Sequence, residues 1–147
     1  MKKIFTIAAI AFMGLALFSG CTKSDSTPSY SMKASIGGAS FSTSNCFAAS
    51  TGTFVEIEGL GGTLTAPTYP YVTLWLLNYA KTTGTFAIDS TMATNYAQIV
   101  TGATSFKIAK SGSITITSVS PNIVGTFSFT AIDGTAVTGG TFTAKSY

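Results

Sequence analysis

From Met32 to Tyr147, apolar residues alternate with Ser and Thr in short runs broken by glycines, and nowhere does a helical period last three turns. β-branched and aromatic residues dominate those runs. The pattern predicts an all-β domain, an antiparallel meander or Greek key of about eight to ten strands closed as a β-sandwich or a small β-barrel. Strands are expected over Ser31–Ile36, Ala39–Thr43, Thr53–Leu60, Tyr71–Tyr79 and Thr85–Asp89. Further ones are expected over Tyr96–Val100, Ser105–Ala109, Ser113–Val119, Ile123–Ile132 and Thr141–Lys145.

Turn chemistry separates them. Gly37-Gly38, Gly61-Gly62, Ser111-Gly112, Asp133-Gly134 and Gly139-Gly140 each supply residues that tolerate positive φ, as primed hairpin turns require. In the run Ile123–Ala131, Ile123, Gly125, Phe127, Phe129 and Ala131 share one face, and Val124, Thr126, Ser128 and Thr130 the other. One face is core and the other is wet. Ile114 and Ile116 point inward in the preceding run, which should form a hairpin with the next around Ser120-Pro121-Asn122. Gly-Thr-Phe recurs at Gly52, Gly84, Gly125 and Gly140, but its spacing is irregular and excludes a solenoid or propeller.

The N-terminus carries an address. Lys2 and Lys3 precede an uncharged stretch, Ile4 through Phe18, and then the small pair Ser19-Gly20 before Cys21. That is the layout of a secretory signal. A membrane span is the weaker reading, because about fifteen apolar positions reach only ~22 Å, short of the roughly 30 Å hydrocarbon core. Leu17-Phe18-Ser19-Gly20-Cys21 resembles a bacterial lipobox, although Phe18 stands where Leu, Val or Ile is usual. The resemblance implies that Cys21 is the lipid attachment site and the first residue of the mature chain. Several acyl chains make such an anchor stable at about 0.8 kcal/mol per buried methylene.

Residues 22–31 are polar and aperiodic, a flexible tether spanning about 17–19 Å. The chain therefore divides into a signal peptide over 1–20, a lipidated Cys and tether over 21–31, and a β domain over 32–147. Lys23 and Asp25 loosely resemble the charged export tags of Bacteroidota surface lipoproteins, without selecting the surface over the periplasmic leaflet of the outer membrane.

Charged residues make up 9% of the chain. With the signal removed, six lysines face five acids, and no Arg is present. Lack of the residue best suited to bidentate phosphate and guanine contacts argues against a nucleic-acid partner. With Cys21 lipidated, Cys46 has no intramolecular partner. It is read as a small buried hydrophobe, the alternative being an intermolecular bridge or reactive thiol.

The segments Ser111–Thr117, Gly125–Ala131 and Gly140–Phe142, with Met32–Ala34, Gly38, Phe41 and Gly84–Ile88 upstream, resemble a family of small Bacteroidota lipoproteins of unknown function. The resemblance implies an all-β envelope lipoprotein and brings no activity with it.

The chain has no His, which excludes Ser-His and Cys-His pairs and imidazole metal sites. No Walker loop, dinucleotide fingerprint or nucleophile elbow is present. No catalytic residue, metal or cofactor is expected, and the chain is not read as an enzyme. Glu56 and Glu58 lie two apart and on a strand share one side. A solvated face is the plain reading, and a cation or ligand contact or glycoside hydrolysis the sharper ones. Asp133-Gly134 reads as a hairpin turn and Asp89 as a strand end.

The run Tyr71–Tyr79 departs from the wet-and-dry rule. Val72, Leu74 and Leu76 form one apolar face, while Tyr71, Trp75, Leu77 and Tyr79 occupy the other. Such a strand is either covered on both sides or has a second face lining a groove. Tyr69, Tyr71, Trp75 and Tyr79 are thus the candidate ligand-binding residues, since Tyr and Trp combine a flat apolar ring with a polar handle. The expected function is a membrane-anchored binding module for a glycan, lipid or peptide. The alternative is a structural envelope protein that contacts other proteins.

Overall fold

The computed structural model describes residues 29–63 and 65–146. The expected signal peptide, Cys21 and the tether as far as residue 28 lie outside them. Ten strands follow in order: β1 (Ser31–Ile36), β2 (Ala39–Thr43), β3 (Cys46–Thr51), β4 (Phe54–Thr63) and β5 (Ala66–Leu77), then β6 (Gly84–Asp89), β7 (Tyr96–Gly102), β8 (Ser105–Ser118), β9 (Asn122–Ala131) and β10 (Ala136–Ser146). There is no helix among the described residues.

The sheet closes on itself. Pairing runs from β10 to β3, β4, β5, β7, β8 and β9 and back to β10, a seven-stranded barrel. Closure therefore replaces the sandwich as the way the two edges are removed. Every ladder is antiparallel except the closing one, where Lys145 and Ser146 run parallel to Phe47 and Ala48. The β1–β2 hairpin lies along β10 beyond that short contact, and β6 lies along the second half of β8.

Alternation carries the core as expected. Met32, Ile57, Leu74, Leu76, Ile114 and Val137 are sealed inside. Phe127 sits 6.3 Å from Phe129 and 6.2 Å from Phe142, centroid to centroid. Gly125 faces the same space because a Cβ there would meet the Thr115 carbonyl and the Phe142 ring. The small residue admits the large one.

Only two of the five predicted glycine turns are turns. Gly37-Gly38 joins β1 to β2, and Asp133-Gly134 joins β9 to β10. Gly61-Gly62, Ser111-Gly112 and Gly139-Gly140 lie inside β4, β8 and β10, each at a shift of register. These are β-bulges, which bend and twist long strands around a barrel. In consequence the expected strands Ser105–Ala109 and Ser113–Val119 are one continuous strand, β8. Its first half pairs with β7 and its second half with β6.

β3 is not among the strands that the sequence pattern predicts. Its start is fixed by non-local bonds: the Thr43 hydroxyl donates to the Leu60 carbonyl at 2.6 Å, and the Leu60 amide donates to the Asn45 carbonyl at 2.9 Å. Those bonds hang β3 on β4, so that Ala48 and Ile57 face inward together while Phe47 and Glu58 face outward.

Candidate ligand-binding face

The outer wall over β3, β4, β5 and β7 is built from two rows of side chains lying across the strands. One row runs Ala49, Glu56, Trp75, Tyr96, and the next runs Phe47, Glu58, Thr73, Gln98. Between them, on the opposite surface, lies the core row Ala48, Ile57, Leu74, Ala97. Strand parity alone sets this division.

Two aromatic stacks flank the carboxylates. Trp75 stacks on Tyr96 at 4.4 Å with 13° between planes, and Tyr69 stacks on Tyr71 at 5.6 Å and 22°. Trp75, Tyr71 and Tyr96 are half-buried, and Tyr69 is 40% exposed. Such stacks contribute about 0.5–1.5 kcal/mol each beyond the area they bury, which holds the rings as a preformed surface. Asn95 sets the Trp75 pair in place: its carbonyl oxygen accepts from the Leu77 amide at 3.1 Å, and its amide donates to Ala87 at 3.2 Å.

Glu56 and Glu58 are half-buried, which departs from the plain expectation of a solvated face. Neighbouring rings remove water from them. Burial raises the Glu56 carboxyl, and burial together with the Glu56 charge pushes Glu58 up to about 7. The same two carboxylates act with burial to raise Tyr71, and Glu56 adds to the rise of Tyr96. Neither carboxylate has an ion-pair or hydrogen-bond partner among the described residues.

Thr73 stands between Glu58 and Gln98 with only 2% of its surface exposed. Its hydroxyl makes no hydrogen bond among the described residues. Since no side-chain polar atom among the described residues is both sealed and unpartnered, the Thr73 hydroxyl oxygen keeps some exposure to solvent. A hydroxyl and two carboxylates thus face outward between two aromatic stacks, all with free hydrogen-bonding capacity.

Of the sequence-predicted residues, the fold brings Tyr69, Tyr71 and Trp75 to this face and takes Tyr79 away from it. β5 ends at Leu77, and Asn78 adopts φ 53°. Beyond it Tyr79 packs edge-on against Phe86 at 5.3 Å, and its hydroxyl donates to the Thr82 carbonyl at 2.7 Å. Tyr96, Glu56, Glu58 and Thr73 were not anticipated as parts of the face. For Tyr96 the signal was present, since Ala97 and Ile99 alternate inward and leave Tyr96 and Gln98 outward. Cys21 lies outside the described residues.

A cleft of about 280 Å³ opens at the start of β3, lined by Tyr30, Asn45, Cys46, Phe47, Leu60 and Lys145. Phe47 belongs to both the cleft and the aromatic face, which makes them neighbours. Cys46 itself is 2% exposed, and burial pushes its thiol up to about 12. Its environment is that of a buried hydrophobe.

No protein-family model, curated protein or solved structure matches the chain.

Proposed function

We propose that the chain is a lipoprotein of the bacterial outer membrane, anchored through Cys21, whose barrel is a non-enzymatic binding module. The ligand is a glycan held on the outer wall by Tyr69, Tyr71, Trp75 and Tyr96. Membership of the small Bacteroidota lipoprotein family is part of the same reading, carried by the strand motifs and the lipobox-like segment.

The observation that carries it is the pairing of aromatic stacks with polar groups that have no partner among the described residues, all on one face. Sugar rings present an apolar face and a rim of hydroxyls. Rings of Trp and Tyr receive the first, while Glu56, Glu58 and Thr73 accept from the second. A membrane lipid or an apolar peptide leaves those acceptors unsatisfied, at the full desolvation cost of each. Hydrolysis is disfavoured, because the two carboxylates stand side by side on one strand, whereas a glycosidase flanks the scissile bond with its pair.

A glycan array probed with the full chain tests this. Binding to a defined set of saccharides, lost in Trp75→Ala and Tyr96→Ala, is the expected outcome. Array binding that survives both substitutions would place the ligand elsewhere. The second reading, a structural envelope protein, has its own surface in Phe106 and Ile132, 56% and 62% exposed beside the Lys107–Asp133 pair.

A further inference from the structure

We propose that the saccharide held on this face carries a positive charge, an ammonium substituent seated between Glu56 and Glu58 and against the hydroxyl of Thr73. The inference rests on the glycan-binding reading and names the class of sugar.

Its ground is an uncompensated pair of charges. Glu56 and Glu58 project from the same side of β4 and repel one another, and both have lost part of their water to the flanking rings. Among the described residues neither carboxylate is in an ion pair or a hydrogen bond. Lys107 is engaged by Asp133 at 2.7 Å, while Lys145, on β10 beyond Phe47, and Lys110, on β8 beside β7, are exposed on the outer surface. The other ionisable groups around the pair are Tyr69 and Tyr71 from β5 and Tyr96 from β7, with burial and the carboxylates raising Tyr71 and Tyr96, while β3 contributes only Phe47 and Ala49.

A neutral sugar satisfies the acceptors and leaves the repulsion. An ammonium group satisfies both, since it donates to the carboxylates and to the Thr73 oxygen and is attracted by adjacent aromatic rings. With Glu58 near 7, a proton competes for the same position. Binding of a ligand with fixed charge must then weaken as pH falls through neutrality.

The test uses the full chain in detergent and two glucosamine hexamers, one N-trimethylated and permanently cationic, the other N-acetylated. Trp75 is the only Trp in the chain, so its emission reports the face directly. At pH 8 the cationic hexamer is expected to bind at least tenfold tighter than the acetylated one. By pH 5.5 that advantage should fall severalfold. Glu58→Gln should remove most of it at pH 8, and Asp133→Asn, a change of equal charge in the β9–β10 turn, should leave it intact. Equal affinity for the two hexamers at pH 8, or an advantage that survives Glu58→Gln, overturns the charge assignment while leaving a glycan platform standing. Failure of both hexamers to alter Trp75 emission, together with an empty glycan array, overturns the platform as well.

Discussion

Glu58 faces Thr73 across the β4–β5 ladder on the outside of the barrel, and neither side chain has a hydrogen-bond or ion-pair partner among the described residues. A threonine 2% exposed on an outer wall is buried by its neighbours, not by a core. The same neighbours desolvate Glu58, whose folded pKa is pushed up to about 7 from an ordinary carboxyl value. A raised carboxyl pKa means the folded state holds its proton more tightly than the unfolded state. Stability should therefore fall as pH rises from about 4.5 to about 7, then level off.

Glu58→Gln removes that penalty. Urea unfolding at pH 8 should show the variant more stable by about 1 kcal/mol, the full shift being discounted for the half-open site, with the gap closing by pH 4. A variant less stable than the parent at pH 8 would mean the carboxylate has a partner.

The Trp75–Tyr96 stack should be legible in Trp75 emission. Tyr96→Ala opens one face of the indole to water, so emission shifts to the red and stability drops by about 1–3 kcal/mol. Tyr96→Phe keeps the stack and should leave both within error.

Cys46 should be inert while the barrel is folded. A thiol 2% exposed with its pKa pushed up to about 12 offers almost no thiolate at neutral pH. Ellman's reagent should react with it only in denaturant, and oxidation should yield no disulfide-linked dimer. Stoichiometric labelling of native protein would contradict the placement of β3.

Gly125 and Gly134 make opposite tests of why glycine is used. Gly125→Ala sets a methyl group against the Thr115 carbonyl and the Phe142 ring, and should cost about 1–3 kcal/mol by overpacking. Gly134 has φ +86° in the β9–β10 turn with open space around it. Gly134→Asn, a residue that tolerates that conformation, should cost less than about 1 kcal/mol. Denaturation midpoints of the two variants measure the difference.

Where side-chain parity decides, the chain is readable without coordinates. β1 and β2 begin and end where alternation and Gly37-Gly38 say they should, and the inward set of β9 is the one its sequence implies. Glycine is ambiguous in a way parity is not, because the same positive φ serves a turn or a bulge, and a barrel needs bulges to bend strands as long as β8. β3 escaped notice since Ala48, Ala49 and Ser50 have little intrinsic strand preference, and the bonds from Thr43, Asn45 and Leu60 that hold it are long-range. The site was half legible. Tyr69, Tyr71 and Trp75 announce themselves, but the half-burial of Glu56 and Glu58 depends on rings from β5 and β7 and on which strands become neighbours.

We propose that the outer wall around Trp75 is a ligand face. Acrylamide quenching of Trp75 in the full chain, with and without saccharides that bind on the array, tests it most directly. Partial quenching that is strongly reduced by bound saccharide is the predicted result. Quenching unchanged by a saccharide shown to be bound would contradict it.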